Sequence, residues 1–184
     1  MTLKDLEIDP SWSLFLDRDG VINKRIVDGY VKTWDEFEFI PGVLEALKLF
    51  NKYFNRIFIV SNQQGIGKKL MTMEELNTVH DMMLKSIRQQ DGKIDRIFVS
   101  PHLETDASFL RKPNIGMALK ARREFPGVTF KKSIMAGDSF SDMIFGKRAN
   151  MKTVLISSDN TLAKKNPGLI DFFYPDLISL AHAL

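Results

Sequence analysis

The chain has 184 residues, 44% of them hydrophobic and 14 of them Phe, with 26 Lys and Arg against 23 Asp and Glu, a net charge of +3 and no Cys. That composition excludes a disordered or fibrous chain and suits one core, so residues 1–184 are expected to form a single domain. The missing thiols exclude disulfides, Cys nucleophiles and thiolate metal sites.

The basic excess is scattered as pairs, at Lys68-Lys69, Arg122-Arg123, Lys131-Lys132 and Lys164-Lys165. It reads as a solvated surface, and nucleic acid is not an expected partner. No apolar run approaches the ~20 residues that span a bilayer. The opening stretch, Met1 to Glu7, has acids where a secretory leader needs basic and then apolar residues. A cytoplasmic protein with no membrane partner is expected.

In chain order, Ser13-Leu14-Phe15-Leu16 is the first continuous apolar run, as expected of a strand buried on both faces. Pro41 suits the first turn of a helix whose apolar face carries Val43, Leu44, Leu47, Phe50 and Phe54. Arg56 to Val60 is the second strand. Thr72-Met73-Glu74-Glu75 is a capping box that opens a helix with Leu76, Val79, Met83 and Ile87 on one stripe. Arg96 to Val99 is the third strand. Asn114 is the expected cap of a helix carrying Ile115, Ala118 and Leu119. Ser133 to Ala136 is the fourth strand, and Ser141 the expected cap of the helix after it. Thr153 to Ile156 is the fifth strand, and Phe172 to Tyr174 an edge strand. This alternation predicts an α/β fold with a parallel sheet and helices on both faces.

In such a sheet, ligands bind beyond the carboxyl ends of the strands. The first exit reads Asp17-Arg18-Asp19-Gly20, the second Ser61-Asn62-Gln63-Gln64-Gly65, and the fourth Gly137-Asp138-Ser139-Phe140-Ser141-Asp142, while Arg111-Lys112-Pro113 precedes a helix. Each alone is ordinary turn or surface chemistry. Together they are not, because acids gathered at one sheet edge repel unless a cation sits among them. Hard carboxylate oxygens select Mg²⁺, and Ser61 and Lys112 then meet an anion held by the same metal, an arrangement suited to phosphoryl transfer.

From about Leu14 to Ile156 the sequence resembles the haloacid dehalogenase superfamily of phosphatases: Asp17-Arg18-Asp19-Gly20, Ser61, Lys112, and Gly137-Asp138 with Asp142 stand in the family's order. The resemblance implies a three-layer, Rossmann-like fold. It makes Asp17 the nucleophile and Asp19 the general acid and base. Mg²⁺ would be held by Asp17, the Asp19 backbone carbonyl and Asp138. Ser61 and Lys112 would grip the phosphoryl group, and Asp142 would orient Lys112 or a metal-bound water. It also requires Asp17 to be ionised and Asp19 to start protonated.

Within the superfamily, Asp28-Gly29-Tyr30-Val31, Phe37 to Val43 and Ser61 to Ile66 resemble heptose 1,7-bisphosphate phosphatases. Ser61-Asn62-Gln63, Pro101-His102-Leu103 and Arg111-Lys112-Pro113 are shared with histidinol-phosphate phosphatases, the second reading. Both are compact enzymes, so no large cap domain is expected, only a flap over 23–34. Tyr30 is then either a substrate contact or packing, and Asn62 and Arg111 hold the substrate's second polar group. Relatives often carry structural zinc on Cys-x-His and Cys-x-Cys. Here those positions read Ser100-Pro101-His102 and Ser108-Phe109-Leu110, and one imidazole does not close a tetrahedral site. No zinc is expected, and the loop is expected to be held by packing of Leu103, Phe109 and Leu110. The resulting expectation is a monomeric Mg²⁺-dependent phosphatase acting on a small phosphorylated sugar. A DNA 3′-phosphatase and a non-catalytic phosphosugar-binding module rank below it.

Overall fold

A computed structural model describes residues 2–184. Six strands, β1 (Ser13–Leu16), β2 (Arg56–Asn62), β3 (Arg96–Ser100), β4 (Ser133–Gly137), β5 (Lys152–Ile156) and β6 (Phe172–Tyr174), form one parallel sheet in the order β3-β2-β1-β4-β5-β6. The helices are α1 (Val43–Phe50), α2 (Gln64–Gly67), α3 (Met73–Gln89), α4 (Gly116–Glu124), α5 (Phe140–Arg148), α6 (Thr161–Lys165) and α7 (Leu177–His182).

The unbroken apolar runs have a direct cause. Successive strand side chains point to opposite faces, and both faces are covered. Leu14, Leu16, Ile57, Ile59 and Ile134 pack with α1, α3 and α7, whereas Phe15, Phe58, Val60 and Met135 pack with α4 and α5. Phe15 and Phe58 lie 5.1 Å apart between ring centroids, one on each of two neighbouring strands. Truncating either to Ala would cost about 3–5 kcal/mol.

The capping box at Thr72 is present: its hydroxyl accepts from Glu75 N at 3.1 Å. Three expected helix starts move. Gly42 has φ +80°, which breaks the helical backbone, so α1 begins at Val43 and Pro41 belongs to the turn before it. Phe54 lies past the end of α1 but still packs edge-on against Phe50. Asn114 does not cap α4; its amide donates to Ser108 O at 3.1 Å, and the helix starts at Gly116. Ser139, not Ser141, caps α5, because its hydroxyl reaches Asp142 N at 3.3 Å.

Residues 17–42, between β1 and α1, contain a 3-10 turn at Trp34–Glu36 and isolated bridges from Asn23 to Asp19 and Phe39, with no inserted helical or sheet domain. Among the described residues no helix is long and apolar enough to cross a membrane.

Candidate active site

β1 lies between β2 and β4, so the crossover leaving β1 goes to one side while β4 opens the other half of the sheet. Ligand sites in open α/β sheets fall at this switch point. Leu16 pairs with Ala136, and Asp17 N extends the ladder by donating to Ala136 O at 3.0 Å. The exits of β1 and β4 are thereby locked side by side. Gly20, at φ +89°, permits the turn, and a Cβ there would overlap the Asp138 carboxylate. Gly137 lets Asp142 approach closely, since a side chain there would displace it.

Carboxylate oxygens of Asp17, Asp138 and Asp142 lie within 4.8 Å of one another. Lys112 Nζ enters this group, 2.8 Å from Asp17 Oδ1, 2.6 Å from Asp142 Oδ1 and 2.7 Å from Val60 O. Burial alone would lower the Lys112 pKa, but the Asp142 and Asp17 carboxylates outweigh it and hold the ammonium charged. Asp142 is fully buried, and its other oxygen accepts from Ser139 N at 3.1 Å. Asp142 thus ties Lys112 to the start of α5.

Burial pushes Asp17 up to about 7; Lys112 pulls it down, and the Asp142 and Asp138 carboxylates push it further up. Asp138 rises to about 6, again chiefly by burial, with Arg25 opposing. Arg25 NH2 stands 2.8 Å from Asp138 Oδ1 and 3.4 Å from Asp19 O. Three crowded carboxylates facing one ammonium and one half-exposed guanidinium keep an excess of hard oxygen donors. That donor set fits a divalent cation of the Mg²⁺ type.

Asp19 lives in a different environment. Its Oδ1 accepts from Arg18 NH2 at 2.9 Å and Asn23 Nδ2 at 3.0 Å, and its Oδ2 from Gln63 Nε2 at 2.8 Å. Burial pushes its pKa up, but Arg18 and these hydrogen bonds win and hold it below the ordinary value. The expected pair of states, Asp17 ionised beside the metal and Asp19 protonated, belongs to the loaded site. In the ligand-free chain Asp17 has the raised proton affinity, chiefly because it is buried, with the Asp142 and Asp138 carboxylates adding to it, and Asp19 the lowered one, because its neighbours are donors.

A cleft of about 640 Å³ opens above these groups, lined among others by Asp17, Asp19, Arg25, Tyr30, Asn62, Lys68, Arg111 and Lys112. Ser61 lies just behind this lining, buried, its hydroxyl accepting from Gln63 Nε2 at 2.8 Å. Asn62 borders the cleft, and both ends of its amide hold the Lys112 backbone at 3.0 Å, so it clamps Lys112 in place. The Tyr30 ring packs over Gly65 and borders the cleft, with Lys68 Nζ 5.5 Å from the ring centre. Arg111 reaches the cleft while donating to His102 O at 3.3 Å.

The loop at 100–111 is held differently from expectation. His102 Nδ1 lies 3.0 Å from Ser108 Oγ and 3.3 Å from Ser100 Oγ, and Leu110 N donates to Ser108 Oγ. Leu103 does pack, against Gly67, but Phe109 is 60% exposed. Polar side chains thus share the task that apolar packing was expected to perform alone. Arg18, Asn23, Arg25, Gln63, Lys68 and His80 are the site residues that sequence reasoning missed. His80 carried one usable signal, a polar residue within the apolar stripe of α3.

The family described as polynucleotide kinase 3 phosphatase matches residues 15–178. The chain is 40% identical to the D-glycero-alpha-D-manno-heptose-1,7-bisphosphate 7-phosphatase of Campylobacter jejuni, over 88% of this chain and 87% of that one. It is 32% identical to the D-glycero-beta-D-manno-heptose-1,7-bisphosphate 7-phosphatase of Escherichia coli, over 94% and 93%. Among solved structures, D,D-heptose 1,7-bisphosphate phosphatase from B. bronchiseptica, complexed with magnesium and phosphate, superposes with a TM-score of 0.84 at 31% identity, covering 93% of this chain and 96% of that one.

Proposed function

The chain belongs to the haloacid dehalogenase superfamily of phosphatases, in the family described as polynucleotide kinase 3 phosphatase, and from that premise we propose that it removes the C7 phosphate of D-glycero-D-manno-heptose 1,7-bisphosphate. The relatives' names support this substrate, and the higher identity to the alpha-anomer enzyme favours that anomer. The observation that carries the chemistry is Asp17, buried at the β1/β4 switch, fixed by Lys112 at 2.8 Å and facing the cleft.

In this reading an Asp17 oxygen attacks phosphorus, and the bond to the sugar oxygen breaks as Asp19 delivers a proton to it. The arriving phosphate brings negative charge beside Asp19 and raises its proton affinity from the low value of the free chain. Water then attacks the aspartyl-phosphate, Asp19 takes its proton, and inorganic phosphate leaves with Asp17 restored. Lys112 and Ser61 hold the phosphoryl oxygens. Asp17, the Asp19 carbonyl and Asp138 would hold Mg²⁺, which when bound would neutralise the charge that builds at phosphorus. Arg25 already brings positive charge to Asp138 Oδ1 and the Asp19 carbonyl, the oxygens this role needs. Arg111 and Lys68, on the cleft rim, suit the substrate's remote phosphate. The cysteine-free chain is read as one domain over 1–184, acting as a monomer in the cytoplasm.

The test is phosphate release from both heptose 1,7-bisphosphate anomers, fructose bisphosphate, histidinol phosphate and a 3′-phosphorylated oligonucleotide, with and without Mg²⁺. Mg²⁺-dependent conversion of the heptose bisphosphate to the 1-phosphate is the expected result. Preference for histidinol phosphate or the oligonucleotide would replace the substrate assignment. Release from no substrate would leave a phosphosugar-binding module.

A further inference from the structure

Arg18 stands between Asp17 and Asp19 in the chain, and its side chain is fully buried. A guanidinium has donors only and needs acceptors on more than one edge when taken out of water. Asp19 Oδ1 supplies one, at 2.9 Å from NH2. The other is His80 Nε2, 3.1 Å from Arg18 NH1, on α3 and 62 positions further along the chain. Because arginine does not accept, His80 Nε2 does, which places the imidazole proton on Nδ1 and leaves the ring neutral. His80 is itself buried, in a stripe otherwise made of Leu76, Val79, Met83 and Ile87. Packing alone would be served there by another aliphatic residue; the acceptor is what a histidine adds.

We propose that His80 is a positioning residue for Asp19: it anchors Arg18 from α3, and Arg18 in turn holds the Asp19 carboxyl in the orientation from which it gives and takes the reaction's proton. This rests on the reading of Asp19 as general acid and base. Gln63 and Asn23 grip Asp19 from the β2 exit and the flap, so Arg18 and His80 are the link between that carboxyl and the helical layer. The Nε of Arg18 has no hydrogen-bond partner, so Asp19 on NH2 and His80 on NH1 are the side chains that hold the guanidinium. A misplacement of about 1 Å at a reacting group is worth about 10²-fold in rate.

The experiment compares His80→Leu, which removes the acceptor, with His80→Gln, whose amide oxygen restores one at nearly the same reach. The readout is kcat/KM, which ends at departure of the leaving group, on heptose bisphosphate and on p-nitrophenyl phosphate. A sugar alkoxide needs Asp19's proton to leave, and p-nitrophenolate does not. His80→Leu is expected to lose about 10–100-fold on the sugar phosphate and less than about threefold on the aryl phosphate, with His80→Gln near wild type on both. Equal losses on both substrates, no loss on either, or no rescue by Gln would overturn the proposal. Should His80→Leu fail to fold by circular dichroism, His80→Asn, too short to reach Arg18, takes its place with the same expectations. If wild type hydrolyses the aryl phosphate but not the heptose, the substrate reading fails while the inference is still tested on whichever alkyl phosphate of the panel is cleaved. Inactive wild type on every substrate overturns the function and the inference with it.

Discussion

The floor of the cleft and its rim are built by opposite rules. On the floor, the charged groups are held by several fixed partners: Lys112 has three, and Asp19 accepts from three side chains, while the Asp138 carboxylate is met by a rim residue, Arg25. Asp17, Asp19 and Asp138 stand at strand exits joined by the sheet ladder, and Asn62 at the end of β2 clamps Lys112 to them. On the rim, the Arg25 side chain is 52% exposed, Val27 is 84% exposed, and Arg111 is retained by one bond of 3.3 Å. The difference teaches where each task is placed. Charge stabilisation works only if donors and acceptors are aimed before the reaction, so it sits on the rigid sheet. Recognition tolerates adjustment and sits on loops carried by that scaffold.

The sharpest way to break this division is Asp17→Asn. Turnover is expected to fall by about 10⁴-fold or more while the melting temperature holds or rises, since the change removes one of three crowded acids. Retained activity would remove Asp17 from the floor's chemistry. Lys112→Ala should damage both function and fold. It leaves Asp17 and Asp142 without their shared ammonium, at a cost of about 3–5 kcal/mol in a denaturant titration. An unchanged midpoint would show the floor to be less interlocked than its distances imply.

Acid offers a third probe of the layer beneath the floor. Burial, followed by the Arg18 charge, depresses His80 to about 3 from 6.5. The unfolded chain therefore takes up a proton near pH 6.5 that the folded chain refuses until about pH 3. The stability from His80 is present above pH 6.5 and is lost as pH falls through that window, by up to several kcal/mol. In His80→Gln the slope of stability against pH over this window should flatten; an identical slope would place the titration elsewhere. Rim changes should be smaller and leave kcat nearly untouched. Arg111→Ala is expected to raise KM for the bisphosphate about tenfold with kcat within about a factor of two, as for one hydrogen bond to a charged group. Ser108→Ala removes one partner of His102 and should cost about 1 kcal/mol of stability. A large loss of kcat in either rim variant would erase the distinction from the floor.

Much of this molecule is legible without coordinates. The apolar runs at Leu14, Ile57, Ile134 and Val154 are local signals, because a strand buried on both faces has no room for polar alternation, whereas the run at Ile97 lies on the edge strand β3 and is only partly buried. The Asp17-Arg18-Asp19-Gly20 and Gly137-Asp138 exits are equally local, since turn and carboxylates are contiguous. Helix starts were less readable at Asn114 and Ser141, where several residues able to cap compete and only packing selects among them.

By itself, then, the amino-acid order determined the layered parallel architecture, the edge of the sheet where chemistry gathers, and the residues Asp17, Asp138, Asp142 and Lys112 that meet there. Tertiary structure alone decided which aspartate holds its proton more tightly, that Asn62 grips Lys112, and that His80 stands behind Arg18. The reason is one of range. Secondary structure and turns follow from neighbours in the chain, whereas a carboxyl's proton affinity is set by charges and donors within a few ångströms, whatever their distance in sequence.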